Sequence, residues 1–552
     1  MRRFNALART VPLAIATGEI GSPVAVRIIA HLAADHGLLE RLAARCLAEA
    51  SSWLQSAPST LQALGGSAHG QISLLAAFER GQSALVSVGA CGVGQPRLEC
   101  VVWGNRGVLS WEEGDDWLDV EDRDTEPPLN EEAGKQLASL RDALHASASS
   151  AAPQQSRQTR AAWTSPRLPK PLAPPYGVLL VSGDHTHQSN YAEALAADGR
   201  CRLIGLTDEA NVTPQRSKLN ERLARRLNIP LLPDLAQALH RDDVQIVSIC
   251  AEPMRRGRII VQAAQAGKHL YLDKPLAGSV GDARRIVTAV EQAGVTAHMF
   301  SLAPLEPAQR LQRVIQSGEL GTLTALHFDL CFAKGDPGTA RLGQTRRETP
   351  EPTEYELPDA KREMTNVGVY PLVALLWTVG RKVRRVAATT GNYFFQEHQA
   401  RDMEDFGQML LELDDGAVAT VSAGRAGWRS HPSSGLNRTC VIGSKRIALF
   451  DAHRPRIAVW ADVPGWAPPQ RDPDDPMSMW GHPKKPQHTA QPKQAWITPP
   501  ALGPAADAKY FLDCLQAGRA SEINAALAAH TTEILLAAYR SAANGSAMTA
   551  LA

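Results

Sequence analysis

Gly177-Val178-Leu179-Leu180-Val181, followed by Ser182-Gly183-Asp184-His185-Thr186-His187-Gln188-Ser189-Asn190-Tyr191, decides the fold. A short apolar run that breaks at a small-residue turn and passes into a helical pattern is how a buried parallel strand hands the chain to a crossover helix. The alternation continues outward from there. Arg202 to Leu206 reads as a strand and Ser217 to Leu227 as a helix; Val244 to Cys250 and His269 to Leu272 read as strands with a helix, Arg258 to Ala266, between them; Val280 to Ala293 reads as a helix and Val295 to Phe300 as a strand. This βαβα order predicts a parallel sheet with helices on both faces over residues 176–300.

Beyond residue 300 the pattern changes. Strand-like runs dominate: Ala325 to Phe332, Val383 to Tyr393, Gln408 to Leu413, Ala417 to Ala423, Thr439 to Ile442 and Arg446 to Phe450, with Asp414-Asp415-Gly416 as a hairpin turn. One apolar helix, Val369 to Trp377, interrupts them, and Ala505 to Ala543 carries apolar residues at helical spacing. Residues 301–552 therefore read as an α+β unit on a mostly antiparallel open sheet, and the fold class is α/β plus α+β. Two stretches read as linkers. Residues 143–175 hold no Asp or Glu and end in prolines, placing a linker at 126–175; Pro464 to Pro504 holds eleven of the 37 prolines.

An internal repeat accounts for the N-terminal part. Gly18-Glu-Ile-Gly-Ser-Pro-Val-Ala-Val26 is similar to Gly318-Glu-Leu-Gly-Thr-Leu-Thr-Ala-Leu326, Phe78 to Ser87 is similar to Leu413 to Ser422, and Val102 to Leu109 falls where Val441 to Leu449 falls. Trp53 follows a helical run as Trp377 does. Residues 1–125 are expected to be a degenerate copy of the α+β unit. Aligning the tryptophans puts Cys46 opposite Tyr370 and Leu42 opposite Asn366, so that copy is expected to be catalytically silent. It is a candidate cover for the other unit's sheet, an intrachain pseudo-dimer, with homo-oligomerisation through the same sheet as the other arrangement.

Composition bounds the function. Basic and acidic residues number 58 and 57, so no net field favours nucleic acid or an anionic membrane. No apolar run reaches the roughly 20 residues of a membrane span. Arg9, Glu19 and Arg27 interrupt any leader-like core. The eight cysteines are scattered with no C-x-x-C pair, as suits buried thiols in a reducing cytoplasm.

The turn after Val181 is where a dinucleotide site would lie, at a helix N-terminus that can receive a pyrophosphate. Gly183 serves there from the usual glycine fingerprint. Asp208, 25 residues on at the end of the next strand, can bind a ribose hydroxyl and would repel a 2′-phosphate. His185 suits a pyrophosphate or ribose contact, and His187 that or a surface role; spacing places no third ligand, so no metal is expected. Lys274, in Gly267-Lys-His-Leu-Tyr-Leu-Asp273-Lys274-Pro275, stands at a strand's carboxyl end, where a lysine can polarise a substrate hydroxyl.

Residues 176–552 resemble the Gfo/Idh/MocA family, the glucose–fructose oxidoreductase and inositol dehydrogenase type. The resemblance rests on Ala266-Gly-Lys-His-Leu-Tyr-Leu-Asp-Lys-Pro-Leu-Ala277, Ile315-Gln-Ser-Gly-Glu-Leu-Gly321 and Asn366-Val-Gly-Val-Tyr-Pro-Leu372. It implies a Rossmann-type domain binding NAD, with NADP the other candidate, and hydride transfer with a small sugar, cyclitol or related polyol. It implies that Lys274, Tyr370 and Asn366 form the catalytic group. Tyr370 would exchange the hydroxyl proton, and Lys274 would hold the oxygen and ease ionisation of the phenol. The cofactor contacts implied are Ser182, Gly183, His185, Asp208, Ala251, Glu252, Pro253, Lys274 and Pro275. Departures are Ser182 and Asp184 in the glycine turn, Asp273 for Glu, Asn366 for Asp, Val373 for a second Asp, and Met254-Arg255-Arg256 after Pro253. These favour, as the alternative, a non-catalytic ligand-binding or scaffold member of the family. Lys361 and Arg362 are the candidates for meeting a polar substrate group.

Overall fold

The computed structural model describes residues 2–33, 38–66, 69–91, 97–112, 129–149, 163, 169–183, 187–301, 306–331, 338–344, 346–351, 362–425, 437–450, 457–460, 490–491, 494–497 and 503–551. Six strands make the first sheet: β1 (Pro23–Ala33), β2 (Pro58–Gly66), β3 (Gln71–Phe78), β4 (Ser83–Cys91), β5 (Arg97–Gly104) and β6 (Val108–Glu112), in the order β2-β3-β4-β1-β5-β6. Side chains alternate across a strand. Val26, Ile28 and Ala30 therefore join Val86 and Val102 under the helices Arg2–Ala16 and Leu39–Leu54, where Phe4, Leu7, Leu47 and Trp53 close the core. Ala25, Arg27 and Ile29 face the other way.

The expected linker at 126–175 is only partly one. Glu131–Ser149 is a helix. Ala133, Gln136 and Leu140 are buried along it, and Leu140, Ala143 and Leu144 pack into the first core. That three-to-four-residue spacing of buried positions outweighs the Ala/Ser-rich composition that suggests a linker.

The second sheet holds β7 (Tyr176–Val181), β8 (Cys201–Thr207), β9 (Leu231–Leu232), β10 (Ile246–Ile249), β11 (His269–Leu272) and β12 (Ala297–Met299), all parallel, in the order β12-β11-β10-β7-β8-β9. Chain order reverses between β7 and β10. Their connections leave in opposite directions and open a crevice beyond the strands' carboxyl ends. The wholly apolar β7 is buried along its length, as a central parallel strand must be.

The third sheet holds β13 (Leu323–Cys331), β14 (Val383–Gly391), β15 (Phe406–Leu413), β16 (Val418–Gly424), β17 (Asn437–Gly443) and β18 (Ile447–Phe450), in the order β18-β17-β13-β16-β15-β14, with Thr549–Ala550 added beyond β14. Only β13 and β16 pair in parallel. The helix Val369–Val379, buried at nine of its positions, packs in one core with residues of the second and third sheets. The C-terminal helices divide. Ala525–Ala543 packs on β14, but Pro504–Ala517 sends Phe511, Leu512 and Leu515 against Tyr176, Tyr191 and Leu195 of the parallel-sheet unit. Chain order assigns that helix to residues 301–552; its apolar stripe docks it elsewhere. Of the proline-rich stretch 464–504, the strands Ala490–Gln491 and Gln494–Ile497 pair beside Ile457–Trp460; most of the remainder lies outside the described residues.

The first and third sheets meet face to face around a buried guanidinium. Arg27, 1% exposed, donates to Asp329 Oδ2 of β13 at 2.5 Å and also pairs with Glu99 of β5. Removing one member of such a group strands the others without water. Arg27→Met is expected to destabilise the chain by about 3–5 kcal/mol. Adding Glu99→Gln and Asp329→Asn should recover most of the loss, as read by urea unfolding.

Candidate active site

The carboxyl ends of β7, β10 and β11 converge on Asp273. Its Oδ1 accepts from Tyr191 Oη at 2.8 Å, the Lys274 backbone N–H at 2.9 Å and His187 Nδ1 at 2.9 Å. Arg256 reaches its Oδ2 at 3.4 Å and also donates to the carbonyls of Ala251, Asp273 and Pro275. Burial opposes ionisation here, but His187, Arg256 and Lys274 outweigh it and hold the carboxyl well below the usual range. Asp273 thus ties the first βα turn to the Lys274-Pro275 turn, and Lys274 is presented from a fixed base.

Lys274, buried, crosses to the second unit. Its Nζ donates to the Asn366 carbonyl oxygen at 2.5 Å and to Asn366 Oδ1, and lies 5.0 Å above the centre of the Tyr370 ring. Gly368, between Asn366 and Tyr370, is forced by crowding: a Cβ there would lie 2.3 Å from the Met364 carbonyl oxygen. Tyr370 is half-buried, with its ring edge-on to Phe300. The phenol is raised, not eased toward ionisation as the lysine suggests. Burial and the Asp273 charge outweigh the help it gets from Arg425.

Behind Asn366 lies a residue with no expected role. Glu363 is fully buried; its Oε2 accepts from Asn366 Nδ2 at 3.0 Å and pairs with Arg425 Nε at 2.9 Å, while Oε1 is 3.4 Å from His398 Nε2. Burial works against its ionisation, but Arg425 and His398 pull the carboxyl down to about 2. The same pairing overrides burial to raise His398. Glu363 precedes Asn366 by three residues, which puts both on one helix face. That spacing was the available signal.

The side of the crevice where the sequence suggests a ribose contact differs from expectation. Ser182, not Gly183, takes the left-handed turn, with φ +68°, at a cost of roughly 1–2 kcal/mol for a non-glycine residue. Gly183 is needed for packing: a Cβ would lie 2.6 Å from the Asn220 backbone, and its N–H is given to Asn220 Oδ1 at 2.5 Å. Asp208 is already occupied. It accepts from Asn220 Nδ2 at 2.9 Å, from the Glu209 N–H at 2.9 Å, and from Arg255 Nη1 at 2.5 Å and Nη2 at 3.2 Å. Burial would raise its carboxyl; Arg255 and Asn220 lower it on balance. Arg255 also donates to Ser182 Oγ at 2.7 Å and pairs with Glu209 and Glu252. Arg216 pairs with Glu252 too and donates to the Gly183 carbonyl at 3.0 Å. Glu252 and Pro253 start the helix Pro253–Gln265 beside Ala251, which is buried. The site therefore brings together Ser182, Gly183, Asp208, Ala251, Glu252 and Pro253 on one side and Lys274, Pro275, Asn366 and Tyr370 on the other. His185 and Lys361 lie outside the described residues. Arg362 is turned into ion pairs with Glu348 at 2.9 Å and Glu404 at 3.1 Å, away from the role of a free substrate contact.

A depressed carboxyl stabilises the fold above its unfolded value and loses that contribution as pH falls through its folded value. For Glu363 that window runs from its ordinary 4.5 down to about 2. The wild-type chain is expected to lose about 3 kcal/mol from this group across it. Glu363→Gln should give a flatter acid limb in urea unfolding followed against pH.

Residues 181–301 match the oxidoreductase family's NAD-binding Rossmann fold, and residues 308–448 match a GFO/IDH/MocA C-terminal domain. Over 224 residues the chain is 28% identical to "Uncharacterized oxidoreductase YrbE" of Bacillus subtilis (strain 168), covering 40% of this chain and 60% of that protein. Over 240 residues it is 23% identical to 2,7-anhydro-N-acetylneuraminate hydratase of Escherichia coli (strain K12), covering 42% and 59%. The matches thus span about three-fifths of these relatives' own length. In fold the chain is similar to the crystal structure of GenD2 from gentamicin A biosynthesis in complex with NAD, with a TM-score of 0.51 and 20% identity over 70% of this chain and 99% of that one. No helix among the described residues is long and apolar enough to cross a membrane.

Proposed function

We propose, for a chain that belongs to the Gfo/Idh/MocA oxidoreductase family through residues 181–448, a nicotinamide-dependent dehydrogenase activity on a hydroxyl of a sugar, cyclitol or related polyol. What supports it is the meeting of Lys274, from the parallel sheet's carboxyl edge, with Asn366 and Tyr370 of the second unit.

The residues fit a dinucleotide on one condition. Asp208 stands where a ribose would be held, at the end of β8, and Arg255 must release it. Bound NAD supplies a hydride acceptor. The chain's own residues do the rest. Lys274 exchanges the Asn366 oxygens for the substrate oxygen and stabilises its developing negative charge. Tyr370 exchanges the hydroxyl proton. Its raised phenol stays protonated through neutral pH, which suits it to give a proton in carbonyl reduction and makes oxidation faster as pH rises. Asn366, anchored by Glu363, holds Lys274 beside the tyrosine ring until a substrate oxygen takes its place.

Calorimetry with NAD(H) and NADP(H), followed by single-turnover hydride transfer with polyols, tests this. Lys274→Ala and Tyr370→Phe are expected to lower the rate of hydride transfer by about 10²–10⁴-fold, with the cofactor Kd of Tyr370→Phe unchanged. Binding without turnover of any polyol would favour the ligand-binding alternative, which draws support from the saturated Asp208 and the strained Ser182 turn.

Cofactor choice rests on the Asp208–Arg255 pair. Asp208 disfavours a 2′-phosphate, and Arg255 both neutralises it and offers the phosphate a cation. Arg255→Ala should move the ratio of Kd values toward NAD by about tenfold, or about 1.4 kcal/mol, as read in the same titrations.

A further inference from the structure

The first and third sheets share more than strand order. In each, a parallel pair lies at the centre, β1 with β4 and β13 with β16, and the other pairs run antiparallel. The central strand slips against its neighbour at the same place, between Pro23 and Ala25 in one and between Leu323 and Ala325 in the other. The entry turns also agree. Gly18 and Gly318 both have φ +75°, and Gly21 and Gly321 have φ +70° and +76°. The Ser22 N–H donates to Asn105 Oδ1 at 2.9 Å, and the Thr322 N–H donates to Ser444 Oγ at 3.0 Å. A Cβ on Gly104 would lie 2.0 Å from the Ile20 carbonyl oxygen, and one on Gly443 would lie 2.1 Å from that of Leu320. A common strand order can arise twice; a common slip, turn and forced glycine point to one ancestral unit.

The way the sheets face each other adds a second observation. Early β1 meets late β13, and late β1 meets early β13. Ala25 shares a buried cluster with Cys331, Arg27 pairs with Asp329, Ile29 shares a cluster with Ala325, and His31 lies 6.5 Å from His327. Two equivalent strands crossing in opposite directions at their middles is what a two-fold axis imposes, since contacts there are reciprocal. The contact is also closed at its edges, with Leu75 and Leu85 packed with Ala387 and Leu410, and Tyr393 Oη donating to the Gly81 carbonyl at 2.5 Å. Leu42 and Cys46, opposite Asn366 and Tyr370 when the tryptophans are aligned, are buried in the first unit's core.

We infer that residues 1–112 are a cofactor-free second copy of the third-sheet unit, fused ahead of the nucleotide-binding unit, and that this copy takes the place of a partner subunit. The chain is then self-sufficient as a monomer, because the sheet face on which a second chain would dock is already covered by its own N-terminal copy.

Sedimentation velocity across the micromolar range is expected to give one species of single-chain mass; a dimer as the main species would overturn the inference. A protease site inserted between residues 150 and 162 and then cut should leave the two fragments eluting together on gel filtration in native buffer. Fragments that separate there would show that the contact is a product of tethering, not a substitute for a subunit interface. Neither readout depends on cofactor or turnover, so either can fail while the dehydrogenase reading stands.

Discussion

The carboxylate of Asp273 is the constraint on which the site depends. It sits at the end of a central parallel strand, out of water, and is tolerable there only because His187, Tyr191, Arg256 and a backbone N–H converge on it. Those donors come from the start of the helix after β7, the helix after β10 and the turn after β11. Satisfying one buried charge therefore aligns three connections that chain order leaves independent. Lys274 inherits its position from that arrangement and reaches the second unit from a base that cannot drift.

The two sides of the crevice carry their charge differently. Around Lys274 the carboxylates are buried and each is met by basic side chains, Glu363 by Arg425 and His398 and Asp273 by Arg256 and the half-buried His187. Such groups set geometry more than they add stability. On the other side, around Asp208, Arg255 stands among Asp208, Glu209 and Glu252, less deeply buried and with no fixed single partner. A guanidinium shared among three acids can be lent to a ligand; one locked to a single core acid cannot. The strained Ser182 and the loss of glycines fit a turn that no longer relies on backbone approach alone.

Much of the fold was legible because it follows from periodicity. The apolar run at 177–181, the helix at 280–293 and the hairpin at 414–416 each announce themselves within a few residues. So did Lys274, Asn366 and Tyr370, through motifs short enough to survive in one stretch of chain. Arg255 and Arg256 were visible only as departures from a pattern. Glu363 gave no sign beyond its spacing from Asn366. Arg425 and His398 lie 62 and 35 residues from Glu363, Asn220 lies 12 and 37 residues from Asp208 and Gly183, and no local pattern links them. The helix at 131–149 was concealed by Ala/Ser-rich composition, and the docking of helix 504–517 on the parallel-sheet unit by its place late in the chain.

By itself the sequence determined most of the strands and helices of residues 176–450, the change from a parallel to a mixed sheet after residue 300, and which residue types stand at the strand ends. These are local matters, set by the period of apolar side chains and by turn chemistry. Only the tertiary structure decided that Ser182 rather than Gly183 bears the turn, that Asp208 is held by Arg255, that the Tyr370 phenol is raised, and that Arg27 is sealed between two sheets. Each depends on which charges and which burial the fold brings together from distant parts of the chain. Coulomb interaction and desolvation are set by distance in space, and separation along the sequence does not encode it.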